Sequence, residues 1–142
     1  MNDIATHYGQ IAKIVDSNPV EDLPAVLTAE AGGTDAVLDT VFAVWVQRID
    51  PARTGDMDAD IQFDIGTEEG VKSYVMALRP NSCEGRRGSV DAPLSTITVG
   101  LTDFLLLVTG NVTGASLGMT NRMRTSGDTS VVIKMKNWFA AP

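Results

Sequence analysis

Residues 58–78 of the chain read DADIQFDIGTEEGVKSYVMAL. Apolar and polar residues alternate across 61–65 (Ile-Gln-Phe-Asp-Ile), which is the period of a half-buried β-strand. The polar segment GTEEG at 66–70 has the length of a hairpin loop, and residues 71–78 predict the return strand. This stretch therefore predicts two neighbouring strands at the centre of a sheet.

The segment before these strands predicts a long amphipathic helix that runs from Thr34, its expected N-cap, to about Ile49. Asp50-Pro51 is expected to end it, because proline disfavours a helical conformation in the residue before it. The apolar residues follow the i, i+3, i+4, i+7 pattern of one wide face. They are Val37, Leu38, Val41, Phe42, Trp45 and Ile49.

Two further helices are predicted at the N-terminus, over residues 1–18 and about 20–31. Residues 1–33 are therefore interpreted as an N-terminal helical extension, and residues 34–142 as the main domain. The first helix is predicted from an apolar stripe formed by Ile4, Tyr8, Ile11 and Val15.

The remainder of the chain alternates between short strand and helix patterns. The resulting order, three helices, three strands, one strand, two helices and one strand, predicts an α+β fold whose sheet is covered mainly on one face. The predicted elements are a weak edge strand at 82–90, a strand at 95–99, a helix at 101–109 capped by Thr102 or Asp103, a small helix at 113–121 and a last strand at 128–136.

Composition limits the classes of protein to consider. A chain of 142 residues with 44% hydrophobic residues and a mean hydropathy of +0.05 is typical of one soluble domain. The longest apolar runs, at 41–46 and 104–108, are far too short to cross a membrane. With 11 Lys and Arg against 18 Asp and Glu, the chain carries a net charge of −7, which opposes binding to nucleic acid and to anionic lipid surfaces.

The expected compartment is the cytoplasm. Cys83 is the only cysteine and cannot form an internal disulfide, and the segment MNDIATHYGQ at 1–10 lacks the features of a signal peptide. The excess of Arg over Lys, with abundant Ala, Asp, Gly and Thr, points to a bacterial source.

No residue pattern predicts catalysis, a cofactor or a metal site. His7 is the only histidine and has no cysteine nearby, so neither a zinc site nor a histidine-based triad is complete. The acidic run at 56–60 begins like a calcium loop, but Ile61 and Thr67 stand where that loop requires glycine and glutamate.

The C-terminal half is unusually rich in flexible apolar side chains. Such residues beside glycine-bearing helices suit either an ordinary core or a deformable apolar pocket, and the pattern alone leaves both readings open. The residues are Met76, Phe104, Leu107, Leu117, Met119, Met123, Met135 and Trp138.

Two longer runs resemble the sterol-carrier-protein (sterol-transfer) domain family. They are MDADIQFDIGTEEGVKSYVMAL at 57–78 and APLSTITVGLTDFLLLVTGNVTGASLGMTNRMRTSGDTSVVIKM at 92–135. The most specific piece is the strand that leads into TDFLLLVTG at 102–110, followed later by Ser-Gly-Asp at 126–128. The resemblance extends over about residues 36–137.

This resemblance implies a five-stranded, twisted mixed sheet with helices on one face, enclosing a hydrophobic tunnel for sterols, fatty acyl chains or similar lipids. It implies a tunnel lined by Phe63, Tyr74, Met76, Ile97, Val99, Phe104, Leu107, Leu117, Met119, Met123 and Ile133, with Trp138 and Phe139 as a C-terminal cover.

The leading hypothesis is a non-catalytic carrier of an apolar small molecule. A second hypothesis is a bacterial enzyme of specialised metabolism that uses the same cavity to fold and cyclise a polyketide or polyene-like substrate. A third is a protein-interaction module that binds its partner through residues 1–33. The ligand and the oligomeric state, monomer or dimer, are left open by the sequence.

Overall fold

The computed structural model describes residues 3–80, 82–135 and 138, except for the side chains of residues 3–5, 51, 132 and 133. The helices are α1 (Asp3–Ser17), α2 (Leu23–Glu30), α3 (Thr34–Gln47), α4 (Pro51–Thr54), α5 (Leu101–Val108), α6 (Gly114–Met119) and α7 (Ser130–Met135). The strands are β1 (Ala59–Thr67), β2 (Gly70–Arg79), β3 (Ser82–Arg87), β4 (Ser95–Gly100) and β5 (Met123–Gly127), and a short 3-10 turn at Val20–Asp22 precedes α2.

The strands form one five-stranded sheet in the order β3-β2-β1-β4-β5. The β1–β4 pair is parallel and the other three pairs are antiparallel, so the α+β fold with a mixed sheet is confirmed. The hairpin expected at 58–78 is β1 and β2, and β3 lies at the sheet edge as predicted. Phe63 on β1 stands opposite Tyr74 on β2 and Ile97 on β4.

Side-chain alternation gives the sheet two different faces. Residues on one face, called the inner face here, are mostly buried and belong to the hydrophobic core together with residues of α3 and α5. The inner face includes Ile61, Phe63, Ile65, Tyr74, Met76, Leu78, Ile97, Val99 and Met123.

The opposite, outer face is crossed by the segment at 88–94, which joins the edge strand β3 to β4. Backbone N–H groups of this segment donate to the Ser73 carbonyl at 2.9 Å, the Gln62 side-chain oxygen at 3.1 Å and the Asp60 carbonyl at 2.8 Å. The crossing connection therefore links to β1 and β2 through hydrogen bonds.

The N-terminal helices pack on the same core. Tyr8, Ile11 and Val15 of α1 are buried, and α1 contacts both α2 and α3. The His7 ring joins these helices, because Nδ1 lies 2.6 Å from the Thr40 hydroxyl and Nε2 donates to the Ala31 carbonyl oxygen at 2.8 Å. The boundary at residue 33 stays a prediction, but α1 contributes apolar side chains to the core of the whole chain.

The last strand predicted at 128–136 is wrong, because residues 130–135 form helix α7 and the fifth strand lies earlier, at 123–127. The alternation of Val131, Ile133 and Met135 predicts a strand. The preceding segment, Asp128 to Ser130, instead favours the start of a helix. The Asp128 carboxylate accepts hydrogen bonds from the Ser130 backbone N–H at 3.0 Å and from the Ser130 hydroxyl at 2.5 Å. This local capping outweighs β-propensity, which depends strongly on context.

Two predicted helix caps are also wrong. Gly33, not Thr34, is the N-cap residue of α3, and Gly100 precedes α5, which already begins at Leu101. Neither cap has a side-chain hydrogen bond. The sequence signal failed because Thr34, Thr102 and Asp103 lie inside the first helical turn rather than before it.

Candidate functional site

The apolar space between the inner face and helices α3 and α5 is filled by an aromatic cluster. Phe42 of α3 is at its centre, with its ring stacked on Tyr74 at a centroid distance of 4.5 Å and on Phe104 at 5.1 Å. It also meets Phe63 edge-on at 5.4 Å and Trp45 at 6.1 Å. These five rings are named the aromatic cluster below.

Most of the residues that the resemblance assigned to a tunnel converge on this core. Met119 differs, because its side chain on α6 is 86% exposed. Leu107 is half-buried against the core, and the Ile133 side chain and Phe139 lie outside the described part of the chain. The buried ones are Phe63, Tyr74, Met76, Ile97, Val99, Phe104, Leu117, Met123 and Trp138.

Trp138 belongs to the buried core and lies next to the segment that follows α3. Its side chain is buried, and its carbonyl oxygen accepts a hydrogen bond from the Asp50 backbone N–H at 2.7 Å. The backbone beyond α7 is thereby joined to the segment that follows α3.

Sequence reasoning missed the contribution of α3 to this site. The sequence places Phe42 and Trp45 on one apolar helix face but does not predict their contacts with Phe63 and Phe104. Their spacing on that face is a signal that they point the same way, while the partner they meet depends on the sheet register.

Three polar side chains link α3 to strands β2 and β3 at one side of the aromatic cluster. The Tyr74 hydroxyl donates to Asp39 Oδ1 at 2.6 Å, and the Arg87 guanidinium donates to both carboxylate oxygens, with Nε 2.7 Å from Oδ1. The hydrogen bond from Arg87 holds the pKa of Asp39 below its usual range. Burial, with the Asp39 carboxylate adding to it, raises the pKa of Tyr74 well above its ordinary value.

We expect alkaline pH to destabilise the protein partly through Tyr74. Its pKa is raised in the folded state, so its contribution is intact below about pH 10, the ordinary tyrosine value, and is lost as the pH rises above it. Unfolding in urea at about pH 9 and about pH 11 would measure this loss. Tyr74→Phe should show a smaller loss, and an equal loss in both proteins would contradict the assignment.

A separate surface cavity of about 500 Å³ lies where the β1–β2 turn faces the start of α3. None of the residues assigned to the tunnel lines it, and its rim carries two carboxylates. Its lining residues are Pro24, Thr28, Gly33, Thr34, Gly66, Thr67, Glu68, Glu69 and Leu101.

The described residues offer little reactive chemistry. No group of three His, Cys, Asp or Glu side chains among them is arranged to hold a metal ion. Burial raises the pKa of the Cys83 thiol to about 11, so the thiol is protonated at neutral pH. None of the helices in the described part of the chain is both long enough and apolar enough to span a membrane.

The fold is that of sterol carrier protein 2 and related domains. The chain superposes on the crystal structure of sterol carrier protein 2 like 2 from Aedes aegypti with a TM-score of 0.59 and 23% identity, over 72% of this chain and 93% of that one. The solution structure of palmitated SCP2L2 from the same organism gives a TM-score of 0.58 and 24% identity, over 70% and 87%.

A larger enzyme contains a similar unit. The stereoselective inverting sec-alkylsulfatase Pisa1 from Pseudomonas sp. gives a TM-score of 0.65 at 13% identity, over 74% of this chain but 16% of that one. At this identity the likeness concerns the fold alone.

The model of the SCP-2 sterol transfer family matches residues 38–140. The chain therefore belongs to the SCP-2 sterol transfer family, as the resemblance of its sequence indicated. No significant match was found among curated proteins.

Proposed function

We propose that this protein binds an apolar small molecule between the inner face and helices α3 and α5, and carries it without changing it chemically. A sterol, a fatty acyl chain or a similar lipid fits that description. The observation that carries the proposal is the continuous apolar inner face, backed by the aromatic cluster, in a chain of the SCP-2 sterol transfer family.

The chemistry of the interior supports a carrier rather than an enzyme. The aromatic cluster consists of three phenylalanine rings, one indole and the phenol of Tyr74. The Tyr74 hydroxyl already donates its hydrogen bond to Asp39. A ligand held there meets mainly apolar surface, which contributes about 25 cal/mol per Å² of apolar area removed from water. A ligand that buries about 600 Å² of apolar area gains roughly 15 kcal/mol, which leaves about 8 kcal/mol, a micromolar affinity, after an association cost of about 7 kcal/mol.

Uptake requires the interior to rearrange. The Phe42 ring is stacked on both Tyr74 and Phe104, so a ligand must displace these rings or separate a helix from the sheet. The free energy of that rearrangement is subtracted from the free energy of binding, because the apparent affinity falls in proportion to the fraction of molecules in the open, binding-competent state.

Native mass spectrometry of the purified protein, with organic extraction of bound compounds, tests the proposal directly. A co-purifying lipid would support the carrier and identify its class. If nothing co-purifies and fluorescent fatty-acyl and sterol probes also fail to bind, the proposal is wrong.

A matched pair of variants tests where the ligand lies. Met123 is 7% exposed on the inner face of β5, whereas Ser126 is exposed on the outer face of the same strand. Met123→Gln is expected to weaken binding of a fluorescent fatty-acyl probe by roughly tenfold, because a buried amide without partners is costly.

Ser126→Gln adds the same amide to the outer face and should leave the affinity for the probe unchanged. Circular dichroism and thermal unfolding establish that both variants are folded at the assay temperature. Equal probe affinities for the two variants would contradict the proposed placement of the ligand.

A further inference from the structure

The side of α3 that faces strands β2 and β3 is charged. Asp35 and Asp39 are four residues apart on α3, so they share one side of the helix. Lys72 Nζ on β2 lies 3.3 Å from Asp35 Oδ1, and the Arg87 guanidinium on β3 pairs with Asp39. These two ion pairs, named the α3 seam, therefore join the helix to the sheet along this side.

The aromatic cluster lies directly behind the α3 seam. The Tyr74 hydroxyl donates to Asp39, and the Tyr74 ring is stacked on Phe42 at a centroid distance of 4.5 Å. Lys72 and Arg87 belong to the inner face, because Lys72 alternates with Tyr74 along β2 and Arg87 pairs with Tyr74 across the sheet. Opening the α3 seam therefore uncovers the rings that a ligand must reach.

Helix α3 lies directly on the backbone of β3 beside the seam. A Cβ atom on Gly85 would lie 2.9 Å from Val46 Cγ2 and 3.7 Å from the Phe42 carbonyl oxygen, so only a glycine allows this approach. Strand β3 is at the edge of the sheet. The helix can therefore lift from this edge without breaking any pairing between strands.

The surface cavity of about 500 Å³ lies at one end of the α3 seam. It is lined by Thr34, the residue before Asp35, and by the β1–β2 turn that precedes Lys72. Its lining also includes Leu101, which belongs to the buried hydrophobic core. The start of α3 and the sheet are thus already separated at this end, and the gap leads toward the interior.

The other helix that covers the inner face is attached more firmly. Helix α5 starts at Leu101, immediately after Gly100 ends β4, so the strand fixes its position. In contrast, the connection from α3 to β1 spans residues 48–58. The four side chains of the α3 seam are 28–55% exposed, and such ion pairs are weak because water solvates both charges. Separating α3 from the sheet is therefore the less costly opening.

We propose that apolar ligands enter and leave between α3 and strands β2 and β3, and that the α3 seam holds this entrance closed. The inference rests on the proposed function, since it concerns how a ligand reaches the same interior. An entrance that opens transiently sets the rates of uptake and release. The seam is closed both before and after the ligand passes, so weakening it raises both rates and leaves the equilibrium affinity nearly unchanged.

A disulfide across the entrance tests the proposal. Val46→Cys and Gly85→Cys place two Cβ atoms within the distance that a disulfide spans, and Cys83→Ser removes the native thiol. Uptake of the fluorescent fatty-acyl probe, followed by stopped-flow fluorescence, should be roughly tenfold slower or more in the oxidised protein than in the same protein after reduction. Equal uptake rates in the two forms would overturn the entrance.

A matched pair of single variants tests the seam itself. Asp39→Asn keeps the shape of the side chain but removes the ion pair with Arg87, and should speed both uptake and release about fivefold. Asp103→Asn removes the ion pair with Arg122 at the start of α5 and should leave both rates unchanged. The methyl ester of the probe is used here, because an uncharged ligand does not respond to the lost charge.

Circular dichroism establishes that these two variants are folded at the assay temperature. Unchanged rates in Asp39→Asn would contradict the role of the α3 seam. Faster exchange in Asp103→Asn alone would place the entrance at α5 and overturn the proposal.

The same measurements keep the carrier and the entrance apart. A chain that binds the probe, and takes it up equally fast when oxidised and when reduced, would refute the entrance and keep the carrier. A chain that binds no probe in any form would refute the carrier together with the entrance that rests on it.

Discussion

Gly127→Ala is expected to reduce the free energy of unfolding by about 4 kcal/mol or more, or to prevent folding. Gly127 has a φ angle of +80°, in the region that residues with a side chain rarely adopt. A Cβ atom there would overlap the Leu94 carbonyl oxygen and lie 3.2 Å from the Ser95 Cα. Both obstacles are backbone atoms, so no side-chain rotation relieves the clash.

Gly110→Ala is the matched control. Gly110 has a nearly equal φ angle of +83°, but a Cβ atom at this position would meet no atom within 4 Å. Its substitution should therefore cost only the conformational strain, roughly 1 kcal/mol. Urea unfolding of both variants measures the difference, and similar losses of stability would show that the contact with Leu94 is unimportant.

The effect should be concentrated where β5 meets β4. Gly127 is the last residue of β5 and pairs with Ser95, the first residue of β4. The Ser95 hydroxyl donates to the Asp128 carbonyl, and the Asp128 N–H donates to the Leu94 carbonyl at 2.9 Å. A displaced Gly127 would break these contacts and move the start of α7.

Phe42→Ala is expected to cost about 3–5 kcal/mol of stability, since it removes a fully buried ring and leaves a cavity. Phe42 is 2% exposed and contacts the four other rings of the aromatic cluster. Phe42→Leu keeps most of the volume and should cost clearly less. Thermal or urea unfolding measures both losses.

The same variant connects stability with the proposed ligand. A ligand that binds only the folded state raises stability with its free concentration, and the cavity left by Phe42→Ala lies where we propose that the ligand binds. A saturating fatty acid should therefore recover more of the stability of Phe42→Ala than it adds to the unmodified chain. Equal gains in the two proteins would argue against a ligand site at Phe42.

Local sequence patterns predicted most of the fold. The alternation in residues 61–65 and the return strand at 71–78 define the β1–β2 hairpin, and the wide apolar face of α3 is the face that is buried. These predictions are confirmed because the apolar residues, spaced at the strand or helix period, are the ones whose side chains are buried. The strand predicted at 128–136 failed where β-branched residues and a capping turn at Asp128 gave opposite signals.

The site was only partly predictable. The apolar character of Phe63, Tyr74 and Phe104 was evident, but their contact with Phe42 depends on how α3 crosses the sheet. The hydrogen bond between the Arg87 and Asp39 side chains joins residues 48 positions apart, so no local sequence pattern predicts it. The exposure of Met119 likewise follows from the rotation of a six-residue helix, which its glycine-rich sequence leaves unspecified.

The single parallel pairing in the sheet has a consequence for the order of folding. Strands β1, β2 and β3 are joined by short turns, whereas the pairing of Ile61 with Ser95 closes a loop of more than thirty residues. We therefore expect the three-stranded meander to form first and β4 to add more slowly. Helix α3 precedes the meander and already supplies partners for Phe63, but β4 and α5 complete the apolar interior. A chain emerging from the ribosome therefore leaves Ile61, Phe63 and Ile65 only partly covered until β4 and α5 are synthesised. The surface proposed to hold a ligand in the folded protein is thus the surface most prone to aggregation during synthesis.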